Sequence, residues 1–131
     1  MADFESSLAP WAPQLRSVMR IIVSFLFMAW GMSKFFGYPM PGPPLDALLT
    51  TAGVLELGGG LLLLVGLLSR PVAFLLSGEM AVAYFMQHAP KGFWPLVNHG
   101  ELAALYSFVF LYLAAAGPGP WSLDALFRHK G

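Results

Sequence analysis

The sequence predicts an all-α protein, an antiparallel up-down bundle of four transmembrane helices followed by a short C-terminal interfacial segment. Three observations lead there. Hydrophobic residues make up 57% of the 131 and charged residues only 11%, whereas about a quarter of a soluble domain is charged. The apolar residues gather into four blocks, each close to the roughly 20 residues that cross a hydrocarbon core. Between the blocks stand proline- and glycine-rich stretches that cannot continue a helix.

The first block runs from about Val18 to Phe36. The segment before it is acidic and proline-punctuated (Asp3, Glu5, Pro10, Pro13). It lacks the basic start and small-residue cleavage site of an export signal, so the first block is expected to stay in the mature protein. Gly37 to Pro44 holds four prolines and ends that helix. The second block, about Ala47 to Leu68, contains ten leucines. Ser69-Arg70-Pro71 makes a tight turn with proline at a favoured first helical position. The third block, about Pro71 to Gln87, is shorter and more polar, so it depends on its neighbours. Pro90 to Pro95 turns the chain into the fourth block, about Gly100 to Ala116, which Gly117-Pro-Gly-Pro120 closes. Ser122, Leu123 and Asp124 then start an amphipathic tail suited to lie on the membrane. All of 1–131 reads as one transmembrane domain.

Four spans put both termini on one side. Arg16, Arg20, Arg70, Arg128 and Lys130 fall there, against Lys34 and Lys91 opposite. Lysine and arginine favour the cytoplasmic side, so both termini are expected in the cytoplasm of a bacterial inner membrane. Trp11, Trp121 and Trp94 suit interfacial anchors.

Ionisable residues within the blocks carry the functional argument. Arg20, Ser24, Phe27, Gly31 and Lys34 fall within about 40° of one another on a helical wheel, with roughly 21 Å between the two cations. The stripe suits a bundle interior; snorkelling to the headgroups is its alternative. Glu56 sits near mid-span, with Gly53 and Gly60 on its face and Gly58 and Gly59 beside it, so another backbone can approach. Its insertion costs roughly 2.5–3.5 kcal/mol, which ten leucines offset. Glu79 lies at similar depth on the next helix. If the two carboxyls face each other they share a proton; if Arg20 pairs with either, nothing titrates. Lys34, His88, Asn98, His99 and Glu101 gather at the outer end, where Lys34 and Glu101 suit an ion pair. His88 and His99 would have to point inward from facing helices to hold haem, and no metal site is expected. Glu101, Leu105, Phe108 and Tyr112 share one face of the fourth helix. With Phe27, Tyr84 and Phe85 they suit an aromatic slot for a planar quinone ring, or plain packing.

The composition also excludes functions. Net charge is zero and the cations are scattered, which leaves nothing to neutralise a run of phosphates in a nucleic acid. There is no cysteine, so disulfides, thiolate ligands and thiol redox chemistry are out.

In the order and spacing of its motifs the chain resembles the DoxX family of bacterial membrane proteins from about Leu15 to Phe127. The matching pieces are Arg20 with Gly31-x-x-Lys34, then Glu56-Leu-Gly-Gly-Gly-Leu-Leu-Leu-Leu-Val-Gly-Leu-Leu-Ser-Arg70. Met80-Ala-Val-Ala-Tyr-Phe-Met-Gln-His88 and Gly92-Phe-Trp-Pro95 follow. Asn98-His-Gly-Glu-Leu102 and Ala114-Ala-Ala-Gly-Pro-Gly-Pro-Trp-Ser-Leu-Asp124 complete the set. The resemblance implies a four-helix bundle in the cytoplasmic membrane. The family is named for a subunit associated with a terminal quinol oxidase. Related proteins form the membrane part of a thiosulfate:quinone oxidoreductase, or are linked to quinone and catechol resistance and to oxidative-stress complexes. It supplies no settled catalytic residues.

The leading expectation is a quinone-linked redox accessory, or a subunit of a membrane oxidoreductase complex. Quinone or quinol would be its ligand and Glu56 and Glu79 its proton-handling groups. Arg20, Lys34, Glu101, His88 and His99 would form the polar network. Its partners would be the bilayer and a protein complex or further copies of itself. One rival is a non-catalytic scaffold or assembly factor whose buried charges fix helix register. Another is an oligomeric pathway for a small solute or protons.

Overall fold

The computed structural model describes residues 2–130, and among these every regular element is helical. Helix α1 (Ala2–Leu8) runs through a 3-10 turn (Ala9–Trp11) into α2 (Ala12–Phe36). Pro10 and Pro13 do not break this course, because both fall at first-turn positions where no N–H is needed. Gly37 closes α2 in the left-handed region, φ 65°, where a Cβ would be strained. The next stretch, residues 38–46, ends at Asp46, whose side chain caps α3 by accepting from the Leu49 amide at 2.8 Å.

Helix α3 covers Ala47–Val65 but is not uniform: Leu55–Gly59 form a π turn between α-helical halves. Gly66, φ 74°, stops it. Helix α4 starts at Ser69, is α-helical to Ala83 and continues as a second π turn, Tyr84–His88. A 3-10 turn (Ala89–Lys91) and the one-turn α5 (Pro95–Asn98) lead into α6 (Glu101–Ala116). Helix α7 (Leu123–Lys130) follows the Gly-Pro-Gly-Pro stretch; the Ser122 hydroxyl caps it by accepting from the Ala125 amide at 3.1 Å. The side chain of Lys130, counted above among the inward-side cations, lies outside the described residues.

Two helical stretches, Asp3–Phe36 and Ala47–Val65, are long and apolar enough to cross a membrane; α6 is a shorter apolar helix. Helix α2 packs along all of α3, α4 packs most closely on α6, and α3 joins the two pairs through α4. Phe27 of α2 fills the space towards α6: its ring meets Tyr106 and Phe110 edge-on at 5.4 and 4.9 Å. Leu63, Ala73, Leu76 and Leu113 complete this core. Large apolar side chains such as Phe25, Leu61, Phe74 and Phe108 point outward, as they do in a protein solvated by lipid.

Polar groups stitch the helices. The hydroxyls of Ser77 and Ser107 each donate to the other residue's carbonyl, at 2.7 and 3.0 Å, where α4 crosses α6. At the far pole both Asp124 carboxylate oxygens accept amides, from Leu68 at 2.8 Å and Ser69 at 2.9 Å. Burial works against the ionised Asp124. The Ser69 amide and hydroxyl, the Leu68 amide and the nearby Arg128 charge outweigh it and hold the carboxyl below its usual range.

Candidate functional site

The polar stripe of α2 turns inward. Ser17, Arg20, Ser24, Phe27 and Gly31 are all buried. Arg20 pairs with neither Glu56 nor Glu79; its guanidinium binds backbone carbonyls instead. Nε donates to Leu63 at 2.7 Å, Nη2 to Trp121 at 2.8 Å and to Leu64 at 3.4 Å, and Nη1 to Pro118. The reason is local. Leu63 and Leu64 lie in the last turn of α3, where the regular i+4 donors run out, although the Gly66 amide reaches the Leu63 carbonyl at 3.1 Å, and where carbonyls carry the negative end of the dipole. A cation placed there meets both needs.

Fourteen residues on, Lys34 serves the second polar group. Its ammonium donates to Glu56 Oε1 at 2.7 Å, and Glu56 is only 4% exposed. The ammonium also lies 5.9 Å from the Trp30 ring centroid, within cation–π reach. This replaces the expected Lys34–Glu101 pair: Glu101 begins α6 with an exposed side chain. Comparable depth did not make them partners, because Lys34 is drawn to the nearer α3.

That closeness has a backbone cause. A Cβ on Gly31 would stand 2.9 Å from the Leu57 amide nitrogen and 3.1 Å from the Glu56 Cβ, so only glycine lets α2 and α3 meet there. Glu56 itself sits in the π turn of α3, a local widening found mostly at functional sites. From α4, the Glu79 carboxyl comes within interaction range of Glu56 and Lys34. Its Oε1 is buried with no hydrogen-bond partner among the described residues.

These groups line a cavity of about 370 Å³. Lys34, Glu56 and Glu79 make one polar wall; Phe27, Trp30, Tyr106 and Met80 make an apolar one. Residues 40–43 of the proline-rich loop cover it, held by the Ser33 hydroxyl donating to the Met40 carbonyl at 2.6 Å. Gln87, His88 and His99 stand at its rim. His88 Nδ1 is 3.0 Å from the Asn98 carbonyl, and His99 is exposed in a left-handed conformation, φ 61°.

The aromatic slot is built differently from the sequence expectation. Leu105, Phe108, Tyr112 and Phe85 face outward, while Tyr106 and Phe110, on the other side of α6, meet Phe27. Both faces of α6 are apolar, so periodicity alone does not tell lipid-facing from core-facing. The sequence places Asn98 only with the outer polar residues, yet it is fully buried and organises that end. Its Nδ2 donates to Tyr84 Oη at 3.1 Å and to the Gly92 carbonyl at 2.9 Å, and its Oδ1 accepts from the Gly100 amide. An Asn-x-Gly step between two helices was the available signal.

A helical chain with spanning helices, lipid-facing apolar side chains and a charged interior cavity defines an integral membrane protein. The DoxX family profile matches residues 15–89, more than half of the chain, and the chain belongs to the DoxX family. It is 42% identical to an uncharacterized protein of Haemophilus influenzae, over 95% of this chain and 99% of that one. It is 33% identical to the inner membrane protein YqjF of Escherichia coli, over 86% and 92% of the two chains. An uncharacterized membrane protein of Mycobacterium tuberculosis is 30% identical over 81% of this chain and 77% of its own length. No solved structure matches the chain.

Proposed function

We propose that the chain forms a four-span antiparallel bundle in a bacterial cytoplasmic membrane, with both termini cytoplasmic. In its cavity it holds a quinone or quinol head group, as an accessory or subunit of a membrane oxidoreductase. The observation that carries this reading is the make-up of the cavity: one wall of Lys34, Glu56 and Glu79, one of Phe27, Trp30 and Tyr106. Quinone reduction and quinol oxidation couple electrons to protons, so a site for either needs a ring-sized apolar slot beside groups that exchange a proton. Here Lys34 neutralises Glu56, and a hydrogen between Glu56 and the unpartnered Glu79 oxygen would satisfy both carboxyls. Glu56 and Glu79 are then the proton-handling residues, Lys34 orients Glu56, and His88 and His99 lie at the entrance. A partner protein in the complex, or a further copy of this chain, supplies or receives the electrons.

A short-chain ubiquinone analogue titrated into the detergent-solubilised protein tests this, because quinones quench tryptophan. We expect saturable quenching whose amplitude drops in Trp30→Phe. Affinity should weaken about tenfold in Glu56→Gln, the equivalent of one charge-assisted hydrogen bond. Quenching that is linear in ligand, or saturable with full amplitude in Trp30→Phe, refutes the site.

One observation favours the scaffold reading as a second: Arg20 spends its donors on carbonyls and has none directed to a ligand. Under that reading Glu56→Gln leaves every activity of the complex unchanged while Glu56→Ala lowers the amount of folded protein.

A further inference from the structure

At the opposite pole, where α4 and α7 begin, a second cleft of about 430 Å³ opens beside the Ser69-Arg70-Pro71 turn. Two cations from different elements line it, Arg70 at the start of α4 and Arg128 from α7, and both are exposed. Asp124 is the one acid on this wall among the described residues, and its two oxygens are already bound to the Leu68 and Ser69 amides. Arg70 gives Nη1 to the Ala115 carbonyl at 2.7 Å, which fixes the guanidinium and leaves its other donors for a second acceptor. Two guanidinium groups line one cleft against a single carboxylate whose oxygens already cap amides, so the wall carries a net positive charge that attracts an anion. Its surroundings are apolar: Phe127 lines it, and Trp121 and Leu126 are exposed close by in the sequence. Charge beside exposed aromatic and aliphatic side chains complements a phosphate that carries acyl chains.

We propose that the cleft between Arg70 and Arg128 binds the phosphate of an anionic phospholipid, with Trp121, Leu126 and Phe127 against its chains. The proposal is independent of the quinone reading and needs only the membrane setting. The full chain, purified in a neutral maltoside detergent, is titrated with phosphatidylglycerol or with phosphatidylcholine, and retained lipid is read by native mass spectrometry. We expect preferential retention of phosphatidylglycerol, reduced about fivefold by Arg128→Gln, the effect of removing one arginine near an anionic headgroup. The Arg128 side chain makes no hydrogen bond among the described residues and only assists the partly exposed Asp124 cap through its charge, so melting without lipid should fall only slightly in this variant. Arg128→Gln retaining phosphatidylglycerol like the parent overturns the site. Inorganic phosphate raising the melting temperature as much as phosphatidylglycerol overturns the assignment to a lipid.

Discussion

Replacing Arg20 with methionine tests the energetic centre of the fold. The side chain keeps its apolar length and loses the guanidinium. Three carbonyls from two segments, Leu63 of α3 and Pro118 and Trp121 of the stretch after α6, each lose a hydrogen bond, while the Leu64 contact at 3.4 Å was already weak. Hydrogen bonds between membrane helices average about 0.6 kcal/mol and reach about 1.7. Three of them therefore predict a loss of about 2–5 kcal/mol. A buried cation also has a desolvation cost, and removing it can stabilise a protein. That relief is limited here, because the Leu64 and Trp121 carbonyls would lose the donor Arg20 supplies. Leu63 keeps the Gly66 amide at 3.1 Å and Pro118 the Ser17 hydroxyl at 3.3 Å. The assay is equilibrium unfolding in mixed micelles of increasing dodecyl sulfate fraction, followed by circular dichroism. Arg70→Met is the control: it loses one hydrogen bond at an exposed position and should cost under about 1 kcal/mol. Arg20→Lys should fall between, since an ammonium cannot span three diverging carbonyls. If Arg20→Met matched the Arg70→Met control, the carbonyl knot would be irrelevant to stability.

Two further outcomes follow from the same contacts. A double-mutant cycle on Ser77→Ala and Ser107→Ala should return a coupling of about 0.6–1.7 kcal/mol in the same unfolding assay; additive losses would mean that the reciprocal hydroxyl bonds do not form. Asp124 has a folded-state carboxyl below its unfolded range. Its contribution is therefore fully present above about pH 4, the unfolded value, and is lost as pH falls through the lower folded one. Much of its surface is open to water, so screening keeps the effect small. Asp124→Asn should flatten the acid limb of a melting-temperature profile, and an unchanged limb would show that the amide cap does not respond to charge.

Much of the fold could be read from residue patterns, because proline and glycine act locally. Gly37, Gly66 and Gly117 stop three helices close to where the composition changes, and Pro95 starts another, whereas α4 begins at Ser69, two residues ahead of the expected first-position Pro71. The inward stripe of α2 was also legible, since four small or polar residues at helical spacing leave no other face for Arg20. Pairing was not. Arg20 is drawn to carbonyls, and carbonyls exist at every position, so no residue type marks them. Lys34 had three carboxylates within plausible depth, and Gly31 decided among them by letting α3 close in. The π turns at Leu55–Gly59 and Tyr84–His88 change which side chains face inward, and a uniform 100° wheel does not contain them. The outward aromatic face of α6 has the same origin as the difficulty with its inward one: in lipid, both environments select apolar rings.

The Arg20 knot also orders events in time. Its donors reach Pro118 and Trp121, about a hundred positions later in the chain, so a ribosome must deliver four more helices before that guanidinium has its full complement. During synthesis the hairpin of α2 and α3 holds a cation whose final acceptors do not yet exist, and water or headgroups must serve in the interval. A chain ending before residue 118 would keep its apolar helices but leave that guanidinium without two of its carbonyl partners.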